Sequence, residues 1–263
     1  MQPAYFAFLA ALVALGQAGP IQIRGGRDQT TCAKICTGNH KFNYKQGIAY
    51  KYEYAITSAT LMKGASSDEP TISIRAKVEI EPVSKCDFIM RITEATLLKV
   101  KDASKSTRFQ EELTAHSLRF AYQDGIIEAV CPASGESTWA LNMKRGFLSG
   151  FQNSMDTLEA GTDVYETDVV GTCMTSYSLP EGKDKAGRIT KEKDLLSCTN
   201  REHYNIAMQS VMYNSHSKVN SLPLLKGTYM CHQTVDPSSK ILQESECKEE
   251  HVFRPFPMVT VEQ

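Results

Sequence analysis

No stretch of this 263-residue chain offers the ~20 consecutive apolar residues that a membrane-spanning helix needs. Charge of one sign is also missing. The 29 lysines and arginines stand against 30 aspartates and glutamates, a formal net charge of −1. That balance argues against nucleic acid or an anionic membrane surface as the main partner. The chain has no CxxC pair and no HExxH, GxSxG, P-loop or GxGxxG motif. Its histidines, at 40, 116, 203, 216, 232 and 251, have no partner at an instructive spacing, so neither a metal nor a catalytic reading gains support. No carboxylate pair stands out for glycosidase chemistry. There is no Asn-x-Ser/Thr acceptor, no internal repeat and no low-complexity tract. An enzyme is not expected, nor is a cofactor.

The N-terminus has what the rest lacks. FAFLAALVAL, at 6–15, is a ten-residue apolar run followed by Gly16-Gln17-Ala18. Small residues at 16 and 18 suit signal-peptidase cleavage after Ala18, so residues 1–18 read as a secretory leader and 19–35 as a lead-in. An extracellular location is expected. Eight cysteines lie beyond the cut: Cys32, Cys36, Cys86, Cys131, Cys173, Cys198, Cys231 and Cys247. An even count in a secreted chain reads as four disulfides, but spacing leaves 105 pairings open.

Alternation dominates the remainder. IAYKYEYAI (48–56) puts Ile48, Tyr50, Tyr52, Tyr54 and Ile56 on one face, and ISIRAKVEI (72–80) repeats the pattern. CDFIMRI (86–92), SLRFAY (117–122), IIEAV (126–130), VYETDVVGTCMTSYSL (164–179) and TYMCHQTV (228–235) continue in short strands. Many strands at short intervals favour a barrel or sandwich. PEGKDKAGRITKEKD (180–194) is charged and poor in apolar residues, which predicts an exposed loop with at most an edge strand and solvated lysines.

One segment breaks the period. Over 139–155, Ala140, Met143, Phe147, Phe151 and Met155 recur at three- and four-residue steps, with Leu148 beside them, as on one face of a helix. Gly146 and Gly150 each cost ~1 kcal/mol against Ala in a helix interior, so they predict close backbone approach to a neighbouring element. Lys144 and Arg145 fall on the other side of this helix and are expected to face outward. They would be solvated, or in contact with another domain.

Several stretches together resemble the large lipid transfer protein family, which includes the vitellogenins, the apolipophorins, apolipoprotein B and the microsomal triglyceride transfer protein large subunit. LNMKRGFLSGFQ resembles that family's Lys-Arg-Gly helix. VYETDVVGTCMTSYSL resembles its strand with Gly-x-Cys, and ITKEKDLLSC the strand leading to that cysteine's partner. CHQTVDPSSKILQESECKEEHVFRPF is most similar to apolipoprotein B and the apolipophorins. The resemblance runs from about Cys36 to Phe256. It implies a mainly β fold: an N-terminal β-barrel of antiparallel strands over 36–263, curled round one central helix at about 139–155, and continued by a helical domain in a longer precursor. Met143, Phe147, Leu148 and Phe151 would form the helix's core face. It also implies the disulfides Cys36–Cys86, Cys173–Cys198 and Cys231–Cys247, which leaves Cys32 and Cys131 for each other. The chain departs from the apolipoprotein B pattern where a further disulfide would fall near Arg75 or Ala76 and near Ala95, since neither side has cysteine.

The function implied is extracellular lipid transport, with phospholipid, acylglycerol and sterol as cargo. A lipoprotein receptor or lipid transfer protein, and the later domains, would be the partners. A yolk storage role with receptor-mediated uptake is the alternative, and a free-standing secreted barrel holding one small apolar ligand is another.

Overall fold

A computed structural model describes residues 6–8, 31–37, 41–62, 71–98, 103–180, 187–195, 198–199 and 225–253. The alternating segments form antiparallel strands. The first group is β2 (Tyr50–Met62), β3 (Thr71–Pro82), β4 (Asp87–Leu98), β5 (Leu118–Gln123) and β6 (Ile126–Cys131). The second is β7 (Thr162–Asp168), β8 (Gly171–Ser178), β9 (Arg188–Asp194), β10 (Leu225–Val235) and β11 (Leu242–Phe253). Within each group every strand pairs with its sequence neighbour, as hairpin connections dictate. A short β1 (Phe6–Phe8) lies between β2 and β11. The expected leader otherwise lies outside the described residues, and its removal at Ala18 would take β1 with it.

The structure is mainly β, two antiparallel sheets of which one curls into a half-barrel. Between the two groups in sequence comes α2 (Thr138–Phe151), which fills the space the sheets enclose. The periodicity predicts helix to 155, but the helix ends four residues sooner. Gln152 turns extended at φ −69° and ψ 137°, and the N–H of Asn153 donates to the Gly125 carbonyl at 2.9 Å. A backbone bond to the β5–β6 hairpin therefore replaces the last helical turn. Met155 stays buried, reached by extended chain. The hairpin turn is Asp124-Gly125, both with positive φ (48° and 90°), the pair that tight two-residue turns favour. A Cβ on Gly125 would stand 1.9 Å from the Asn153 carbonyl oxygen, so only glycine allows this joint.

A second helix, α1 (Ala103–Thr114), is not foreseen by the sequence reading. It offers only Phe109 and Leu113 as an apolar i, i+4 pair, too little periodicity to register. Leu113 is buried, Phe109 stacks on Trp139 at 5.3 Å, and the Trp139 indole donates to Glu112 at 2.6 Å. α1 is thereby tied to the first turn of α2.

The four disulfides join Cys32 to Cys131, Cys36 to Cys86, Cys173 to Cys198 and Cys231 to Cys247. Cys32 is buried, and its N–H and that of Ala33 donate to the Asp87 carboxylate at 2.5 and 2.9 Å. The lead-in therefore enters the domain by Cys32, ahead of the boundary expected at 36.

Candidate functional site

The chemistry of this domain centres on α2, whose two sides meet different surroundings. Toward β2–β6 the helix presents Phe147, Leu148 and Phe151, all buried, with Met143 partly buried beside them. Phe147 meets Tyr54 edge-on at 5.3 Å. Phe151 meets Tyr122 at 5.2 Å, Tyr44 at 5.6 Å and Tyr52 at 6.0 Å. Such pairs add ~0.5–1.5 kcal/mol each beyond the area they bury. The Tyr52 hydroxyl donates to the Leu242 carbonyl at 2.9 Å, so this cluster also grips β11. Burial pushes the Tyr52 phenol up to about 12 and that of Tyr54 higher still.

Gly146 and Gly150 lie where the helix comes close to its neighbours. A Cβ on Gly146 would stand 3.3 Å from the Tyr54 hydroxyl, and one on Gly150 would stand 3.5 Å from the Cys247 sulfur. The approach is tight at Gly146, whereas at Gly150 the distance is an ordinary van der Waals contact and does not by itself require glycine.

Toward β7–β11 the interior is ionic. Glu166 and Asp168 stand two apart on β7, and Lys191 and Lys193 two apart on β9, so each pair shares the inward face. The Lys191 Nζ lies 2.5 Å from a Glu166 oxygen. The Lys193 Nζ lies 2.7 Å from the same oxygen and 2.5 Å from Asp168. These lysines reach β7 across β8, where small Thr175 stands opposite Lys193. Their ammonium groups and the Glu166 carboxylate are fully buried.

The arrangement is explained by the end of α2. A helix C-terminus leaves carbonyls without intrahelical donors and carries partial negative charge. The Lys191 ammonium donates to the Ser149 and Gln152 carbonyls at 3.1 and 3.2 Å. Gln233 donates to the Gly150 and Gln152 carbonyls at 2.9 and 3.0 Å, and Ser245 donates to Gly150 at 2.7 Å. From the helix side, the Ser149 hydroxyl donates to Asp168 at 2.6 Å, and the Ser154 hydroxyl donates to Glu166 at 2.8 Å. The Tyr177 hydroxyl also donates to Glu166. Burial alone would raise the Glu166 pKa, but the Lys191 and Lys193 charges outweigh it and hold the carboxyl at about 2. Burial pulls the Lys191 pKa down, whereas Asp168 and Glu166 overcome burial and raise that of Lys193.

Two sequence expectations are overturned here. Residues 188–194 are an interior strand of their sheet, paired on both sides, and not an exposed loop or edge; Lys191 and Lys193 are buried. The reason is that a strand lined by paired charges has no apolar alternation to show. The legible signal was complementary spacing, two carboxylates at i, i+2 in YETD and two lysines at i, i+2 in TKEK. Lys144 and Arg145 do not face outward either, being 0% and 2% exposed. The more open side of α2 carries Thr138, Trp139, Asn142 and Met143 instead, so the two cations fall on its enclosed side. The Lys144 ammonium pairs with Glu136 and donates to the His116 carbonyl at 2.6 Å.

The elements thus define a β-rich, disulfide-tied module whose interior is occupied by its own helix. Residues 44–259 match the Vitellogenin N-terminal domain family, and the chain belongs to that family. It is 28% identical over 253 residues to a vitellogenin of Penaeus merguiensis, covering 94% of this chain and 9% of that protein. It is 27% identical over 269 residues to human apolipoprotein B-100, covering 97% of this chain and 6% of that protein. To the apolipophorins of Drosophila melanogaster it is 25% identical over 199 residues, 73% of this chain and 6% of that protein. A solved structure of lipovitellin, concerned with lipid–protein interactions, superposes with a TM-score of 0.58 at 18% identity, covering 84% of this chain and 26% of that one. The chain therefore spans less than a tenth of the length of these sequence relatives.

Proposed function

We infer that this chain is the N-terminal domain of an extracellular lipid-carrying apoprotein and serves as a docking module, not as the lipid container. The observation that carries the reading is the family match across residues 44–259, in company with vitellogenin, apolipoprotein B-100 and apolipophorin relatives. Aromatic side chains and buried ion pairs fill the space around α2, which leaves phospholipid, acylglycerol and sterol cargo to the polypeptide that follows. The free-standing barrel with one small ligand loses its ground for the same reason. Four disulfides suit an oxidising compartment. A lipoprotein receptor or a lipid transfer protein is the partner class that such a docking module would meet.

The test is the size and lipid content of the native secreted species. A polypeptide several-fold larger than 29.2 kDa on a reducing gel, floating with extractable lipid, is the expected outcome. A lipid-free monomer no larger than 29.2 kDa would overturn the reading. The Penaeus vitellogenin match favours yolk storage as the second reading. Uptake by growing oocytes and a phosphoserine-rich continuation would select it.

A further inference from the structure

The two sheets are joined at one seam by β1. It pairs with β2 at Phe6↔Met62, Ala7↔Leu61 and Phe8↔Thr60, and with β11 at Phe6↔Phe253, Ala7↔Val252 and Phe8↔His251. Among the described residues no strand pairing runs directly from β2 to β11. At their other ends a side chain bridges them, the Tyr52 hydroxyl donating to the Leu242 carbonyl at 2.9 Å. Both strands run antiparallel to β1 and so parallel to each other, one strand's width apart at Thr60–Met62 and His251–Phe253. β1 belongs to the apolar run of the expected leader, and cleavage after Ala18 empties this place. β3 begins at Thr71, opposite Ala59, so Thr60–Met62 have β1 as their one strand partner among the described residues. Once β1 is gone, both strands show unpaired N–H and C=O groups, an edge that takes up an extended segment within reach.

We propose that residues 258–261, MVTV, replace β1 in the mature chain as the strand between β11 and β2. They lie outside the described residues, a short way beyond the end of β11 at Phe253. Arg254-Pro255-Phe256-Pro257 supplies the turn: four residues suffice for a hairpin loop, and the two prolines stop β11 from running on. The returning chain then runs antiparallel to β11, the direction that β1 takes. In the register of β1, Met258 falls opposite Phe253, Val259 opposite Val252 and Thr260 opposite His251. On the other side the same three residues meet Met62, Leu61 and Thr60. Val259, Thr260 and Val261 are β-branched, the kind of side chain that strands favour. A segment tethered by so short a loop acts at an effective concentration of about millimolar, which a second copy or a separate protein does not match. This requires that the leader be removed, and it is independent of what the apoprotein carries.

The test is hydrogen exchange on the secreted protein, with its N-terminus sequenced. In the wild type, segment 60–62 is expected to exchange about tenfold more slowly than in Val259→Pro, whose ring bars pairing within a two-sided strand. Segment 72–80, held between β2 and β4, should exchange alike in both. A second variant, Leu61→Cys with Val259→Cys, places two thiols directly opposite, within the Cα separation that a disulfide spans. Peptide mapping should find them joined, and free thiols at both positions would overturn the pairing. Free exchange of 60–62 in the wild type would show that nothing takes the place of β1, and would overturn the proposal. Protection that survives Val259→Pro would do the same, whether β2 then pairs directly with β11 or sedimentation shows a dimer. So would a native N-terminus at Met1, which leaves β1 where it is. If neither variant is secreted, the wild type decides: segment 258–261 is expected to be as protected as 60–62, and free exchange there sinks the proposal. Lipid content and polypeptide size bear on the apoprotein reading alone, so the two failures are told apart.

Discussion

The sheets β2–β6 and β7–β11 enclose the same helix by opposite means. Against the first, α2 is held by tyrosine and phenylalanine rings, an interface whose strength comes from buried apolar area and changes little with pH. Against the second it is held by Glu166, Asp168, Lys191 and Lys193, whose net contribution depends on every charge keeping its partner. The apolar side is met by side chains of the last turns of the helix, Phe147, Leu148 and Phe151. The ionic side lies at the helix end, where carbonyls need donors and Lys191 and Gln233 supply them. Which chemistry each sheet carries follows from whether it meets the apolar side chains of α2 or the carbonyls at its end.

The largest effects should come from breaking either half. Glu166→Gln leaves Lys193 with Asp168 alone and Lys191 without its carboxylate, and is expected to cost about 3–5 kcal/mol in urea unfolding. Phe151→Ala should cost a similar ~3–5 kcal/mol through the cavity among Tyr44, Tyr52 and Tyr122. Acid separates the two. The Glu166 pKa is depressed, so its stabilisation is complete above its unfolded value of ~4.3 and is lost as pH falls toward about 2. Phe151→Ala should retain that acid slope and Glu166→Gln should flatten it. Identical slopes in the two variants would show that the halves do not differ in the way described.

The aromatic half can also be strengthened. Ala76 and Ala95 are direct partners on β3 and β4, both buried, at the place where the apolipoprotein B pattern would have a further disulfide. Ala76→Cys with Ala95→Cys should form a fifth disulfide under oxidising conditions. It would close a loop of about 20 residues and add up to ~3 kcal/mol. Free thiols in the oxidised double variant would refute the expected register.

What the sequence showed and concealed follows the same division. The strands of the aromatic half were legible because tyrosines, isoleucines and valines alternate with charges in YKYEY and ISIRAKVEI. The core face of α2 was legible for the same reason, through Met143, Phe147, Leu148 and Phe151. The ionic half hid itself, because RITKEKD is polar at every position but Ile189 and looks like surface until its partners on β7 are known. Lys144 and Arg145 misled likewise, since charge on a helix marks its wet face only where no buried acceptor waits, and Glu136 and the His116 carbonyl receive Lys144. The Cys32–Cys131 link stands apart, reached only as the pair left over once the resemblance had assigned the other six cysteines.

A smaller effect is expected where the halves are joined. Gly125→Ala forces a Cβ against the Asn153 carbonyl at a positive φ, and should cost about 1–3 kcal/mol, read as a lower urea midpoint with unchanged slope.

Lys41 sits at that joint, and its effect should be confined to alkaline pH. Its ammonium donates to the Asn153 carbonyl at 2.9 Å and to that of Met155, so it holds the chain just after α2. Burial lowers its pKa to about 8, against the pull of Asp124, Asp156 and Glu166. The unfolded lysine titrates near ~10.4, so between about 8 and ~10.4 the unfolded chain binds more protons than the folded one. Stability should therefore rise with pH across that window. Lys41→Met should abolish the rise while leaving the acid slope from Glu166 intact. Should the variant keep the alkaline rise, the joint is not where that proton is lost, and Lys191, whose pKa burial also lowers, becomes its source.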